Sequence, residues 1–175
     1  TSVSKFEYFT TQFYVILHYM GNFILPTDLS ADPDITIITP FYDKAIVMGF
    51  LLIVGLLIVA IRFSRNKDTR PIAFGILWFF IALIPPSSFL PRFQIANDHR
   101  TFFPYIGLVI SFSWYVAVQL KNNSGYLNKF KLIKYGIPLL AIFVICSYGY
   151  GTHQRNKVWK TGESLWYDVT IKSPK

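Results

Sequence analysis

The sequence is poor in cysteine and in charged residues. Its only cysteine is Cys146, so an internal disulfide and a multi-cysteine metal site are both excluded within this chain. Charged residues make up 15% of it, whereas a soluble domain usually carries about a quarter. Hydrophobic residues make up 53%. This balance predicts a protein that lies largely in a lipid bilayer.

Histidine is also scarce, and the motifs of soluble enzymes are missing. The three histidines, His18, His99 and His153, lie far apart, and none has the spacing of a zinc or iron site. There is no nucleophile elbow, no Gly-rich phosphate loop, and no Ser or Cys with a local base. The sequence therefore names no metal ligand and no cofactor, and it leaves open whether a metal takes part.

Acidic residues are outnumbered by basic ones, 9 to 17, for a net charge of +8. The basic residues form no stripe interleaved with stacking aromatics, so we expect no nucleic-acid partner. Eight of the seventeen lie in two connections between apolar runs, at residues 62–70 and 121–134. Lys and Arg concentrate in cytoplasmic connections of membrane proteins, so both connections are predicted to be cytoplasmic.

Four apolar runs predict four transmembrane helices in an all-α polytopic membrane protein. They cover residues 45–61, 71–84, 102–120 and 133–150. The second run has fourteen residues before Pro85-Pro86, which is about 21 Å of a ~30 Å hydrocarbon core. Such a helix either kinks and continues or ends short of the far surface. Irregular backbone at that depth needs protein or a water-filled cavity around it, so residues 85–103 are the leading candidate for a site.

The third run carries Gly107, Ser111 and Ser113, small residues that allow another helix to approach closely. Before the first run, residues 6–25 form an amphipathic helix. The side chains of Glu7, Thr10, Thr11, Tyr14 and His18 occupy much of its polar face. This pattern favours a helix that lies in the membrane interface, with a transmembrane span as the alternative.

The predicted organisation has three parts. Residues 1–43 hold the interfacial helix and an acidic loop, in which a solvated loop is preferred over a metal-nucleotide site at Asp32 and Asp34. Residues 44–151 hold the four transmembrane helices, and residues 152–175 form an extracytoplasmic segment with a short helix capped by Thr161. Four crossings then place both ends of the chain outside the cytoplasm. The chain does not begin with methionine, and we expect it to be a piece of a longer protein.

Polar and titratable groups concentrate at residues 91–100, directly before the third apolar run. The guanidinium groups of Arg92 and Arg100 suit phosphate oxygens, and the start of a helix adds backbone donors for an anion. Asp98 and His99 lie beside Arg100, where they orient it or, for His99, exchange protons. One hypothesis is a site for a lipid-linked phosphate. The alternative is that Asp98 caps the helix while Arg100 extends to the lipid headgroups.

Three segments carry a resemblance to a known family. They are Asn-Asp-His-Arg-Thr-Phe-Phe-Pro at residues 97–104 with Gly107 after it, Thr-Gln-Phe-Tyr-Val at residues 11–15 leading to Leu25-Pro26, and Gln-Arg-Asn-Lys-Val-Trp-Lys at residues 154–160. Over nearly its whole length the chain resembles the end of the membrane region of bacterial tetratricopeptide-repeat membrane proteins. These are related to the transmembrane and tetratricopeptide-repeat O-mannosyltransferases. In that family the acidic-His-Arg-aromatic-Pro motif opens a span.

The resemblance implies a GT-C-type glycosyltransferase of the bacterial inner membrane. Such an enzyme moves a sugar from a polyprenyl-phosphate carrier, its substrate rather than a cofactor, to a protein on the extracytoplasmic face. Arg92, Asp98, His99 and Arg100 would contact the phosphate or support its pocket. The catalytic carboxylate is expected in an earlier extracytoplasmic loop, outside this chain. The implied partners are membrane lipid, the lipid-linked sugar and a protein acceptor.

Two other hypotheses stay open. One is a membrane anchor without chemistry of its own, which presents a periplasmic tetratricopeptide-repeat module to a partner complex. It predicts a packed, sealed loop around Asp98. The other is a transferase similar to the O-antigen ligases, whose long periplasmic loop is not visible in this sequence.

Overall fold

The computed structural model describes residues 4–27, 29–33, 35–38, 41–85, 95–125 and 131–173, without the side chains of residues 99 and 131–134. Within these ranges the protein is all-α, with six α-helices and two 3₁₀ turns. The helices are α1 Lys5–Ile24, α2 Lys44–Ser64, α3 Arg70–Leu83, α4 Phe102–Asn122, α5 Lys131–Val158 and α6 Gly162–Lys172. One 3₁₀ turn, Lys67–Thr69, precedes α3, and the other, Asp98–Thr101, precedes α4.

Three helices in the described ranges are long and apolar enough to cross a membrane. They are α2, α4 and the part of α5 from Tyr135 to Val158. At this level the prediction of an all-α, multi-pass membrane protein is confirmed. The fourth predicted span, α3, has 14 residues, as the sequence indicated, and is too short to be counted with the other three.

Although α3 is short, it forms the centre of the helix packing. Ile72 and Ile76 pack with Ala60 of α2, and Phe79 packs with Val15 of α1 and with α4. Because lipid tails are as apolar as these side chains, such contacts are held together by close packing rather than by exclusion of water. The lack of length in α3 is therefore compatible with its burial among longer helices.

Helices α3 and α4 approach each other closely. A Cβ atom at Gly75 would collide with the backbone oxygen of Gly107, and a Cβ atom at Gly107 would collide with that of Gly75. Next to this contact, the Ser111 hydroxyl donates to the carbonyl oxygen of Ile72 at 2.8 Å. The roles predicted for Gly107 and Ser111 are confirmed, whereas Ser113 is exposed.

The amphipathic helix α1 turns part of its polar face toward the protein. Thr10, Thr11 and Gln12 are buried, while Phe6 at one end of the helix is exposed. The loop that follows crosses this face, and the backbone N–H of Ile38 donates to the Thr11 hydroxyl at 3.1 Å. The helix is amphipathic as predicted, but several of its polar side chains contact protein because the loop covers them. Its position in the membrane interface stays a prediction.

Helices α5 and α6 make few contacts with the other helices. The apolar window of α5 has no buried residue, and the Tyr148 hydroxyl lies 3.1 and 2.8 Å from the carbonyl oxygens of Phe23 and Ile24 at the end of α1. The helix continues past the predicted end at residue 150 to Val158, across the boundary placed at residue 151. The cap predicted for α6 is confirmed, since the Thr161 hydroxyl accepts from the Ser164 N–H at 3.1 Å.

Candidate functional site

The candidate site is built around the carboxylate of Asp98, in the 3₁₀ turn before α4. Its residue is 8% exposed. One carboxylate oxygen lies 3.1 Å from His18 Nε2 and accepts from the Asn22 side-chain amide at 3.1 Å, and the other accepts from the backbone N–H of Ser30 at 3.0 Å. Residues 18 and 22 are one turn apart and share a face of α1. The carboxylate therefore joins α1, the acidic loop and the start of α4.

His18 has two possible roles in this cluster. Its Nε2 also lies 3.0 Å from the Asn22 side-chain nitrogen. A neutral imidazole nitrogen either donates or accepts, so with a proton on Nε2 it donates to Asp98, and without one it accepts from Asn22. The Asn22 amide has two N–H groups, one for each neighbour. Asp98 therefore keeps the donors of Asn22 and Ser30 in either state.

A second set of bonds holds the backbone of the turn. The Tyr19 hydroxyl accepts from the N–H of Asn97 at 2.9 Å, and the Thr101 hydroxyl donates to the carbonyl oxygen of Asp98 at 2.6 Å. Burial raises the pKa of Tyr19 to about 12, against the opposing effect of its bond to Asn97. Its phenol stays neutral at physiological pH. The Tyr105 hydroxyl in turn donates to the carbonyl oxygen of Tyr19 at 2.7 Å, which ties α4 to α1.

The residues predicted for the site differ in their exposure and in their partners. Asp98 is buried, and its carboxylate faces α1 and the loop rather than the first turn of α4, so it is not the predicted cap. Arg100 is exposed, and neither Asp98 nor any other described side chain forms an ion pair with it. Arg92 lies outside the described residues, and so does the side chain of His99.

The surface beside Arg100 is apolar. Phe102 is 76% exposed and Phe103 is 53% exposed. The ring of Trp78 in α3 lies 4.9 Å from that of Phe103, and its indole N–H donates to the Phe103 carbonyl oxygen at 3.1 Å. Arg100, which forms no ion pair with any described side chain, is thus followed after Thr101 by two exposed aromatic residues. This combination suits an amphipathic ligand with a charged group and an apolar chain.

Sequence reasoning missed His18, Tyr19, Asn22 and Ser30 as members of the site. The available signal was the pair of polar residues His18 and Asn22, one turn apart on α1, but only His18 was placed on the polar face and Asn22 was not considered. Their link to Asp98 spans 76 and 80 residues of sequence. No local pattern reports a contact of that separation.

No family model, curated protein or solved structure matches this chain. The likeness of residues 97–104 to a transferase motif therefore stays a resemblance. Within the described part of the chain, no group of three or more His, Cys, Asp or Glu residues is placed to hold a metal ion. The arrangement there positions a cation beside an apolar surface.

Further polar groups line the inner face of α1. The hydroxyl of Tyr8 and both polar atoms of the Gln12 amide are buried and have no hydrogen-bond partner among the described residues. Buried polar groups without partners are costly, and inside membrane proteins polar residues usually mark functional positions. The polar stripe of α1 thus extends from the Asp98 cluster toward the start of the helix.

The loop that donates to Asp98 also contacts the end of the chain. The Lys172 ammonium donates to the carbonyl oxygen of Leu29 at 3.0 Å. Asp168 accepts a hydrogen bond from Arg155 and pairs with Lys172 at 3.2 Å. Burial works to raise the pKa of Asp168, but the bonds from Arg155 and Lys172 outweigh it and lower that pKa below its ordinary value. Helix α6 is thereby held beside the same loop.

Proposed function

We propose that this chain is the carboxy-terminal membrane section of a GT-C-type glycosyltransferase that uses a polyprenyl-phosphate sugar and acts on a protein at the extracytoplasmic face. The observation that carries the proposal is the exposure of Arg100, which pairs with no carboxylate in the described part of the chain, two residues before the exposed Phe102. Arginine binds phosphate oxygens in a bidentate manner, and a polyprenyl chain needs an apolar surface beside its phosphate. Arg100 and its neighbours supply both.

Asp98 acts in this proposal as a positioning residue. Its carboxylate accepts from Asn22 and Ser30 and lies against His18, so it holds the turn in place. The fixed turn presents Arg100 to the surface. Arg92 and His99 are proposed as further phosphate contacts, and the catalytic carboxylate as belonging to an earlier loop of the full-length protein.

The proposed topology has four crossings, with α3 as a short fourth span. Because α3 packs against α2 and α4 through Ile72, Ile76 and Phe79, protein covers part of its surface and its length does not need to match the bilayer. The bond between Lys172 and Leu29 supports a common side for α6 and the acidic loop. The basic connections at residues 62–70 and 121–134 support the opposite, cytoplasmic side for the other helix ends.

A second candidate function is favoured by one observation, the burial of the Asp98 side chain. Its side chain is 4% exposed, and both of its oxygens accept hydrogen bonds. A membrane anchor that presents a repeat module needs such a rigid outer surface and no cavity. In that case Arg100 contacts lipid headgroups only, and its loss has no effect on chemistry.

Sugar transfer by the full-length protein, reconstituted in vesicles with a polyprenyl-phosphate sugar, separates the two candidates. We expect Arg100→Ala to lower the transfer rate about tenfold or more, since a hydrogen-bonded charge pair with the phosphate is lost. Arg100→Lys is expected to keep part of the rate, because lysine keeps the positive charge but loses the bidentate geometry of the guanidinium group. Arg65→Ala, at an exposed cation of the cytoplasmic connection, is the matched control and keeps the wild-type rate.

Wild-type transfer by Arg100→Ala, in a protein that melts at the wild-type temperature, would refute the role of Arg100. Absence of transfer by the wild-type protein with its donor would favour the anchor.

A further inference from the structure

A groove of about 300 Å³ lies far from Asp98, between the 3₁₀ turn Lys67–Thr69 and the last turns of α4. Its polar lining comes from Asn66, Asp68, Lys121 and Asn122, and its apolar lining from Ala117 and Val118 with the ring of Trp114. The volume is at the lower end of the range for small-ligand sites, roughly 300–1,000 Å³. The groove thus has room for one small polar group.

Two opposite charges line this groove without pairing. The carboxylate of Asp68 and the ammonium of Lys121 are both exposed, and neither forms an ion pair with any residue that the structure describes. Asp68 lies in a connection rich in cations, yet none of the described ones reaches it. Each charge is therefore available to a ligand, and a ligand that carries both signs can bridge them.

The groove lies at the ends of two candidate spans. Helix α2 ends at Ser64 just before it, and α4 ends at Asn122 within it. The indole N–H of Trp114 donates to the backbone oxygen of Asp68 at 2.7 Å, which fixes the 3₁₀ turn against α4. Tryptophan is enriched where membrane and water meet. The groove therefore opens at the level of lipid headgroups.

We propose that this groove binds the headgroup of a zwitterionic phospholipid that carries a phosphate and a primary ammonium, as in phosphatidylethanolamine. The phosphate pairs with Lys121 and accepts from the Asn122 amide, and the ammonium donates to Asp68 and to the Asn66 side-chain oxygen. Ala117 and Val118 contact the apolar part of the lipid. This site does not depend on the transferase proposal.

The charges of the groove select against other headgroups. A purely anionic headgroup would leave the carboxylate of Asp68 facing a like charge. A choline headgroup has no N–H to donate to Asp68, and aromatic cages for quaternary ammonium need several rings, whereas Trp114 is the one aromatic residue among the described lining. A primary ammonium satisfies the carboxylate directly.

Native mass spectrometry of the full-length protein tests the proposal. The protein is mixed in detergent with dioleoyl-phosphatidylethanolamine, dioleoyl-phosphatidylcholine or dioleoyl-phosphatidylglycerol, and the retained lipid is counted. We expect retention of phosphatidylethanolamine, with about tenfold weaker binding in Asp68→Asn and in Lys121→Gln, since each removes one charged hydrogen-bond partner. Lys67→Gln, at an exposed cation outside the groove lining, is the matched control and binds as wild type.

Equal retention of the three lipids, or stronger retention of phosphatidylglycerol, would overturn the proposal. So would wild-type binding by both Asp68→Asn and Lys121→Gln. Soluble phosphoethanolamine separates a lipid ligand from a free one: we expect it not to displace the lipid at equal concentration, and displacement would assign the site to a soluble phosphate compound. Both substitutions lie at exposed positions, where we expect them to leave the fold intact. The helix content of each variant checks that it is folded.

Discussion

Asp98 shows how one buried charge can connect segments that are distant in sequence. Its two oxygens receive donors from α1 and from the acidic loop, and its own carbonyl oxygen receives the Thr101 hydroxyl. A buried carboxylate is costly unless such donors surround it, and these donors are costly in turn if the carboxylate is lost. The residue is thus a structural centre of the turn that carries Arg100.

Asp98→Ala is expected to destabilise the full-length protein in detergent by about 2 kcal/mol or more, because the Asn22 amide and the Ser30 N–H lose their acceptor. Asp98→Asn keeps one acceptor oxygen and should lie between alanine and wild type. Thermal unfolding of the purified protein measures both. Asp32→Asn, in the same loop and with no side-chain ion pair among the described residues, serves as the control with a near-zero effect. A wild-type melting temperature for Asp98→Ala would show that the cluster does not stabilise the fold.

Sequence reasoning found Asp98 and Arg100 because charged residues directly before an apolar run are unusual. It did not separate their roles, since Asp98 is buried and Arg100 is exposed although they are two residues apart. A 3₁₀ turn directs neighbouring side chains to different sides, and only the packing of α1 against that turn decides which side is inside.

The contact between α3 and α4 is sensitive to side-chain size. Each glycine of the pair faces the backbone of the other, and backbone cannot move aside as a flexible side chain can. Overpacking of a close contact typically costs about 1–3 kcal/mol. The contact also sets the distance of the Ser111 hydroxyl from the Ile72 carbonyl oxygen.

Gly107→Ala should therefore lower the stability of the protein by about 1–3 kcal/mol, and Gly75→Ala by a similar amount. Gly55→Ala is the matched control, because nothing lies within 4 Å of a Cβ atom at that position of α2. There the substitution should be neutral or slightly stabilising, as helix propensity favours alanine. Unfolding in a mixed-detergent series compares the three variants. Equal stability of Gly107→Ala and Gly55→Ala would contradict the close approach.

Most of the helices were predictable from local patterns. Apolar run lengths indicated α2, α4 and α5, and the proline pair after α3 indicated its short length. The end of α5 was not predictable in this way, since polar residues such as His153 and Arg155 continue the helix beyond the apolar run. Hydropathy marks where a helix leaves the apolar region, whereas the helix itself ends where its backbone hydrogen bonding ends.

On the scale of the whole molecule, the acidic loop links the two ends of the chain. It donates to Asp98 through the Ser30 N–H and receives the Lys172 ammonium at the Leu29 carbonyl oxygen. Lys172 also pairs with Asp168, which binds Arg155 at the end of α5. The position of α6 relative to the loop therefore depends on the charge of Asp168.

The lowered pKa of Asp168 gives this contact a pH dependence. A carboxyl whose pKa is lower in the folded than in the unfolded state contributes stability above its ordinary pKa of 3.8, and this contribution is lost as the pH falls through the folded value. We expect the hydrogen-exchange protection of residues 162–172, relative to an unfolded reference, to be constant near neutrality and to fall below that pKa. Asp168→Asn should show lower protection at neutral pH and no such decline on acidification. The same decline in the variant would assign it to another group.

The sequence by itself determined that this is an all-α membrane protein with several spans, because composition and the length of apolar runs act through local physics: each apolar helix satisfies its own backbone in lipid. It also determined the short α3 and the cap of α6 at Thr161. Only the tertiary structure decided which polar face of α1 is inside and which residues meet Asp98. These contacts join residues 18, 22 and 30 to residue 98, and the packing of α1 across α3 and α4 brings them together.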